Sequence, residues 1–188
     1  MADWFETATG RRCDLTADEP DYTFTDIMYG LARTCRFGGQ LRTDVEYYSV
    51  AEHCVHLATY VLEHDILESQ RDLRTILMHD AFEGLTGLDA VRPVKALLPD
   101  LVALEDRTLH KMARRFQFDY PFPAWLKDLD ARILVDERRQ VMNYAHGNRW
   151  QIDHLEPLNI KVNAWSPFKA REEFFFLAVQ CDLELRGL

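Results

Sequence analysis

The sequence predicts an all-α fold, one helical domain over residues 1–188 with a polar cluster between its helices. Three observations lead there. Apolar residues recur at helical spacing in most long segments, with capping residues at several starts and glycine or proline at several ends. Apolar residues make up 47% of the chain, enough for a good core at this length. Mean hydropathy is −0.29, and no apolar run is long enough to span a bilayer. Finally, His53, the pair His79-Asp80, and Asp130 each fall on the inner face of a different predicted helix.

The first twenty residues are polar and rich in turn formers. A short helix covers Asp26 to Thr34 and is broken by Cys35-Arg36-Phe37-Gly38-Gly39. Ser49 and Glu52 form a capping box for the next helix. Its apolar stripe is Val50, Cys54, Leu57, Ala58, Val61 and Leu62, with His53 beside it. A third helix runs from Asp72 to Glu83, with Leu73, Ile76 and Leu77 inward and Gly84 and Gly87 ending it. At about 100° per residue, Ile76, His79, Asp80 and Glu83 share an arc of about 100°.

A loop from Gly84 through Pro93 leads to a helix over Asp100 to Phe116. Pro121 and Pro123 precede another from Ala124 to Asn143. Residues 147–163 read as a short strand or a loop. Ser166 and Pro167 then cap a last helix anchored by Phe174, Phe175, Phe176 and Val179.

The formal net charge is −9. That argues against a broad nucleic-acid surface, which needs a basic patch. It leaves room for a small anionic substrate, because a metal and a few cations can make one pocket positive. The four cysteines, Cys13, Cys35, Cys54 and Cys181, form no CxxC pair. The N-terminus lacks the basic start and apolar stretch of a signal peptide. Both features predict reduced thiols and a cytoplasmic protein without a membrane partner.

Three aspartates compete as the last member of the polar cluster: Asp128, Asp130 and Asp136. On a helical wheel Leu126, Ile133, Leu134 and Val141 fall within about 60° of Asp130, so Asp130 faces the core. Asp128 and Asp136 lie roughly 120–160° away and are expected in solvent. Ionisable groups in a core are costly unless compensated, and a divalent cation would compensate all four. Two imidazoles and two carboxylates suit Mn, Co, Fe, Ni or Zn, with Mg at the hard end. Taken singly, His53 can be a satisfied core histidine and Asp130 an ion-pair partner of Arg36 or Arg132. His56, His64, His110, His146 and His154 receive no role, and the pairs Arg114-Arg115 and Arg138-Arg139 read as solvated faces.

Tyr48-Ser49-Val50-Ala51-Glu52-His53, the block from Met78-His79-Asp80 through Glu83 to Thr86-Gly87, and Pro93-Val94-Lys95 together resemble the HD-domain phosphohydrolases. Within that superfamily the likeness is to the nucleotidase branch, the bacterial 5'-deoxynucleotidases and small phage-type dNTP (dATP) triphosphohydrolases. The resemblance runs from Thr9-Gly10-Arg11 through Asp130-Ala131-Arg132. It implies a helical bundle, often a homo-oligomer, acting on deoxynucleoside phosphates. It further implies a divalent ion on His53, His79, Asp80 and Asp130, with Asp80 and Glu83 as catalytic carboxylates and Glu83 near the attacking water. Arg36 and Phe37 would be a basic-aromatic pair meeting phosphate and base or sugar, and Lys95 a further phosphate contact. A nucleotide sensor without turnover, or a hydrolase of another phosphoester, is the alternative on the same scaffold. A di-iron oxygenase would need further inward ligands that the sequence does not offer.

Overall fold

Thr23 and Asp26 start the first helix by capping each other. A computed structural model of the chain describes residues 3–143 and 148–186. In it, helix α1 spans Phe24–Arg33, two residues earlier than Asp26. The Thr23 side chain accepts the Asp26 N–H, while the Asp26 carboxylate accepts the N–H and hydroxyl of Thr23 at 2.8 and 2.7 Å. The same carboxylate takes the Thr9 N–H at 2.7 Å and its hydroxyl at 3.1 Å. It thereby pins down the N-terminal segment, whose two short strands β1 (Phe5–Glu6) and β2 (Arg12–Cys13) pair antiparallel.

Burial pushes the Asp26 pKa up, but the bonds from Thr23 and Thr9 outweigh it and hold the carboxyl below its ordinary value. Its contribution is therefore complete above the unfolded carboxyl pKa of about 4 and is lost as pH falls through the lower folded value. Asp26→Ala is expected to cost about 2–3 kcal/mol at pH 7. In urea unfolding its deficit against the parent should shrink below about pH 4.

Seven further helices follow among the described residues: α2 (Val50–Glu63), α3 (Gln70–Met78), α4 (Ala81–Thr86), α5 (Arg92–Lys95), α6 (Pro99–Phe116), α7 (Ala124–Val141) and α8 (Pro167–Gln180). The all-α expectation is met, the small β1–β2 ribbon aside. Helices α1, α2 and α8 pack on one another, and α4 lies across α1. With α3, which packs on α2 and α8, they share a core that includes Ile27, Leu31, Leu57, Ile76, Met78, Phe82 and Phe174.

Several local expectations are corrected. The helix foreseen over Asp72 to Glu83 is two helices, broken at His79-Asp80, where Asp80 leaves helical geometry at φ −102°, ψ 24°. Gly84 does not end it; Gly84 lies inside α4, where backbone meets backbone at Gly30 of α1. Gly87, at φ 71°, is the left-handed cap that does end it. Residues 148–163 contain neither strand nor helix. They cover a face of α7 that the wheel assigned to water. Asp136 is buried there and accepts the Leu158 N–H at 2.8 Å. Arg138 is buried as well, held by Asp153 and the Asn148 carbonyl with its guanidinium over Trp150. On α8 only Phe174 of the expected anchors is buried; Phe175, Phe176 and Val179 face outward. His146 and Gly147 lie outside the described residues. No helix among the described residues is long and apolar enough to cross a membrane.

Candidate metal centre

His53 reaches the centre of the bundle from α2, whose first turn is fixed by the Ser49 cap. His79 and Asp80 reach it from the break between α3 and α4, and Asp130 from the middle of α7. Adjacent residues on an unbroken helix point about 100° apart; the break lets His79 and Asp80 approach one point.

The geometry is tight. The Nε2 atoms of His53 and His79 are 3.1 Å apart. Asp130 Oδ1 lies 3.3 Å from His53 Nε2 and 4.0 Å from His79 Nε2. Asp80 Oδ2 lies 3.8 and 3.5 Å from the same two nitrogens. Both rings are committed on their other side. His79 Nδ1 is 2.6 Å from the Ile76 carbonyl, which can only accept, so Nδ1 carries the hydrogen. His53 Nδ1 is 2.5 Å from Glu137 Oε1. Each Nε2 lone pair therefore points into the gap between the imidazoles, next to two carboxylates. Such a gap requires a proton or a cation.

Without an ion, the carboxylates on either side of His53 favour a proton there. Burial and the Arg36 guanidinium disfavour that proton, but Glu137 and Asp130 outweigh them and raise the His53 pKa to about 9. Burial likewise opposes ionisation of Asp130, yet His53, His79 and Arg36 hold its carboxyl well below the usual range. His53, His79 and Asp130 offer donor atoms close enough together to hold a metal ion. Cys54, His79 and Asp80 form a second such group. Cys54 is the weaker donor, because burial, then Asp80, keep its thiol protonated and His79 Nδ1 is already bound to Ile76. Asp130 keeps 31% of its side chain exposed, so the gap has access to solvent.

The other sequence-derived residues surround this point. Glu83 is buried on α4, and its Oε2 has no hydrogen-bond partner among the described residues. Burial, then Asp80 and Glu105, raise its pKa well above the carboxylate range, with Lys95 opposing. Lys95 Nζ lies 3.6 Å from Glu83 Oε1 and also meets Glu105 on α6. Arg36 bridges two carboxylates, Asp80 at 3.2 Å and Glu137 at 3.3 Å, and its Nε is buried with no acceptor among the described residues. Phe37 follows at φ 59°, ψ 26°, a left-handed conformation uncommon for a bulky residue. Its ring packs with Tyr48, Val141 and Trp150 in a small cluster of its own.

Sequence reasoning missed Glu137. It is fully buried on α7, and its Oε1 accepts from the Tyr48 hydroxyl at 2.6 Å as well as from His53. Burial works against its charge, but His53 and Arg36 lower its pKa to about 2. A signal existed: Glu137 stands seven residues after Asp130, two turns on and on the same face. Asp89, also missed, is near Arg36 and takes a backbone hydrogen bond from Phe37. Together with Cys35, Gly38, Arg33, Thr7 and Thr86 it lines a cleft of about 600 Å³ between the N-terminal ribbon, α1 and the end of α4. His53, His79 and Asp130 do not line the cleft, whose wall includes Gly38 and Gly39 of the turn after Arg36 and Gly84 next to Glu83.

Fold and cluster define a class, an all-helical protein with a buried histidine–aspartate site that can hold a metal ion. Within it, the chain belongs to the family of an uncharacterized protein of Rhodobacter capsulatus. The two are 35% identical over 155 residues, 81% of this chain and 78% of that protein. The uncharacterized protein YfdR of Escherichia coli is 29% identical over 135 residues, 72% of this chain and 69% of YfdR. No protein-family model matches the chain.

Proposed function

We propose that the chain is a metal-dependent phosphohydrolase of the HD-domain type, acting on deoxynucleoside phosphates. The observation that carries this reading is the pair of imidazole Nε2 atoms 3.1 Å apart, both with Nδ1 engaged elsewhere, beside Asp80 and Asp130. His53, His79, Asp80 and Asp130 would hold a divalent ion, and two nitrogen with two oxygen donors fit Mn, Co, Fe, Ni or Zn, with Mg less well matched. Such an ion supplies Lewis acidity toward a phosphoryl oxygen and lowers the pKa of water.

The chain's own residues supply position and charge. Glu83 carries a free buried oxygen beside Asp80, so it can take a hydrogen bond from a water and hold its proton. Burial, then Asp80 and Glu105, raise its pKa, which favours a carboxyl that can also hold a proton. Lys95 neutralises Glu83 and stands ready as a point charge for a phosphate oxygen. Arg36 Nε has no acceptor among the described residues, so its N–H can meet a phosphate oxygen. Phosphoryl transfer asks a protein mainly for such positioning and electrostatics. Phe37 contributes by shaping the turn rather than by an open ring face.

The test is a screen of chelator-stripped protein reloaded with Mn, Co, Zn or Mg against deoxy- and ribonucleoside mono-, di- and triphosphates. Metal-dependent phosphate release from dNMPs identifies a 5'-nucleotidase, and tripolyphosphate from dNTPs a triphosphohydrolase. Glu83→Gln should lower kcat by about 10²–10⁴-fold with metal content unchanged. Bound metal with no turnover of any nucleotide would reject the nucleotidase reading.

A further inference from the structure

We propose that Glu137 is a positioning residue that fixes two of the metal-holding side chains, His53 and Asp80, at once. The inference rests on the metal reading above. It starts from an anomaly: a carboxylate with no exposed surface, far from the chain ends, that no step of the proposed chemistry uses. A buried charge persists only where it is paired and hydrogen-bonded, and Glu137 is both. Oε1 accepts from His53 Nδ1 at 2.5 Å and from the Tyr48 hydroxyl at 2.6 Å. Oε2 accepts from Arg36 Nη2 at 3.3 Å.

The first contact sets the tautomer. An acceptor on Nδ1 keeps the hydrogen there and leaves Nε2 as the donor atom facing the gap. The second contact extends the same control across the site. Arg36 uses its other terminal nitrogen, Nη1, to bind Asp80 Oδ2 at 3.2 Å. Glu137 on α7 therefore orients His53 on α2 directly and Asp80, at the α3–α4 break, through the planar guanidinium. Tyr48 completes the set by occupying the remaining lone pair of Oε1, so the carboxylate cannot rotate away from His53. Arg36 thus serves the ligands before it serves any substrate.

The experiment measures metal affinity rather than turnover. Chelator-stripped parent, Glu137→Gln and Tyr48→Phe are titrated calorimetrically with Zn and Co, and circular dichroism of the metal-free proteins controls for folding. In Glu137→Gln the amide oxygen would still accept from His53 and Tyr48, but the new NH₂ group would face Arg36, donor against donor. Kd for the metal is expected to rise about 10–100-fold in Glu137→Gln, and several-fold in Tyr48→Phe. In the metal-free proteins at about pH 10, where the His53 ring is neutral, long-range ¹H–¹⁵N spectra should show the parent's His53 as the Nδ1–H form, with a mixed population in the variants. A purely structural Glu137 would lower the melting temperature and leave Kd and tautomer alone. Folded variants with parental Kd and a single His53 tautomer would overturn the proposal. Should Glu137→Gln not fold, Tyr48→Phe decides it by the same two readouts. A parent that binds none of these ions overturns the metal reading itself, a result distinct from unaffected variants.

Discussion

Asp130→Ala is expected to weaken metal binding at least about a thousandfold, roughly 4 kcal/mol, while Asp128→Ala, on the same helix, leaves it unchanged. Asp130 Oδ1 lies against the Nε2 atoms of both histidines, whereas Asp128 points outward toward Arg132. Removal of Asp130 takes away one of two negative donors and half the charge that offsets the ion. Titration of both variants with Zn or Co reads the difference directly. Equal affinities would remove Asp130 from the site.

The pH dependence of the same titration has a definite sign. In the metal-free protein burial and Arg36 depress the His53 pKa, but Glu137 and Asp130 prevail and raise it to about 9. An ion that takes the Nε2 lone pair must displace that proton. Affinity should therefore climb with pH, about tenfold per unit between about pH 6 and 8, and level off near 9. A flat profile over that interval would mean that no proton leaves.

Gly30→Ala is expected to cost at least about 3 kcal/mol, a large part of the 5–15 kcal/mol that holds a typical domain together. A Cβ on Gly30 would stand 1.6 Å from the carbonyl oxygen of Gly84 and 2.6 Å from its carbonyl carbon. Neither is a flexible side chain; relief requires α1 and α4 to separate. Because α4 follows Asp80 directly and carries Glu83, separation would also spread the side chains of the candidate metal site. Gly39→Ala provides the contrast. It sits at φ 74° with nothing within 4 Å of its would-be Cβ, so only backbone strain of about 1–2 kcal/mol applies. Urea denaturation followed by circular dichroism separates the two. Comparable costs would show that the α1–α4 crossing tolerates more than its geometry allows.

These residues also show where the sequence was legible. Helices with a cap and a one-sided stripe, such as α2 behind Ser49, were readable because both signals are local. Asp130 was found because α7 presents its face as a regular wheel. Asp136 was misplaced on that same wheel, since its cover comes from residues 156–160, an irregular stretch with no periodicity to announce it. The α3–α4 break escaped notice because apolar spacing continues through it, and spacing does not record a change of backbone direction. Gly84 resembled a terminator because close approach of two helices and termination of one both call for glycine. Glu137 was within reach, seven residues beyond Asp130, but a glutamate next to two arginines reads as surface.

The break at His79-Asp80 has a consequence for the order of assembly. Two neighbouring residues that converge on one point need no loop closed between them, so this pair arrives as a unit. Its approach to His53 closes a loop of 26 residues, and such entropy grows only logarithmically with length. Asp130 comes last, fifty residues further along a chain that is made from its N-terminus. Until α7 docks, the site offers three donors and an open wall, with neither Asp130 nor Glu137 in place. An ion met during synthesis would therefore be held loosely and exchanged freely, and the choice among competing metals would be made only once α7 had closed over it.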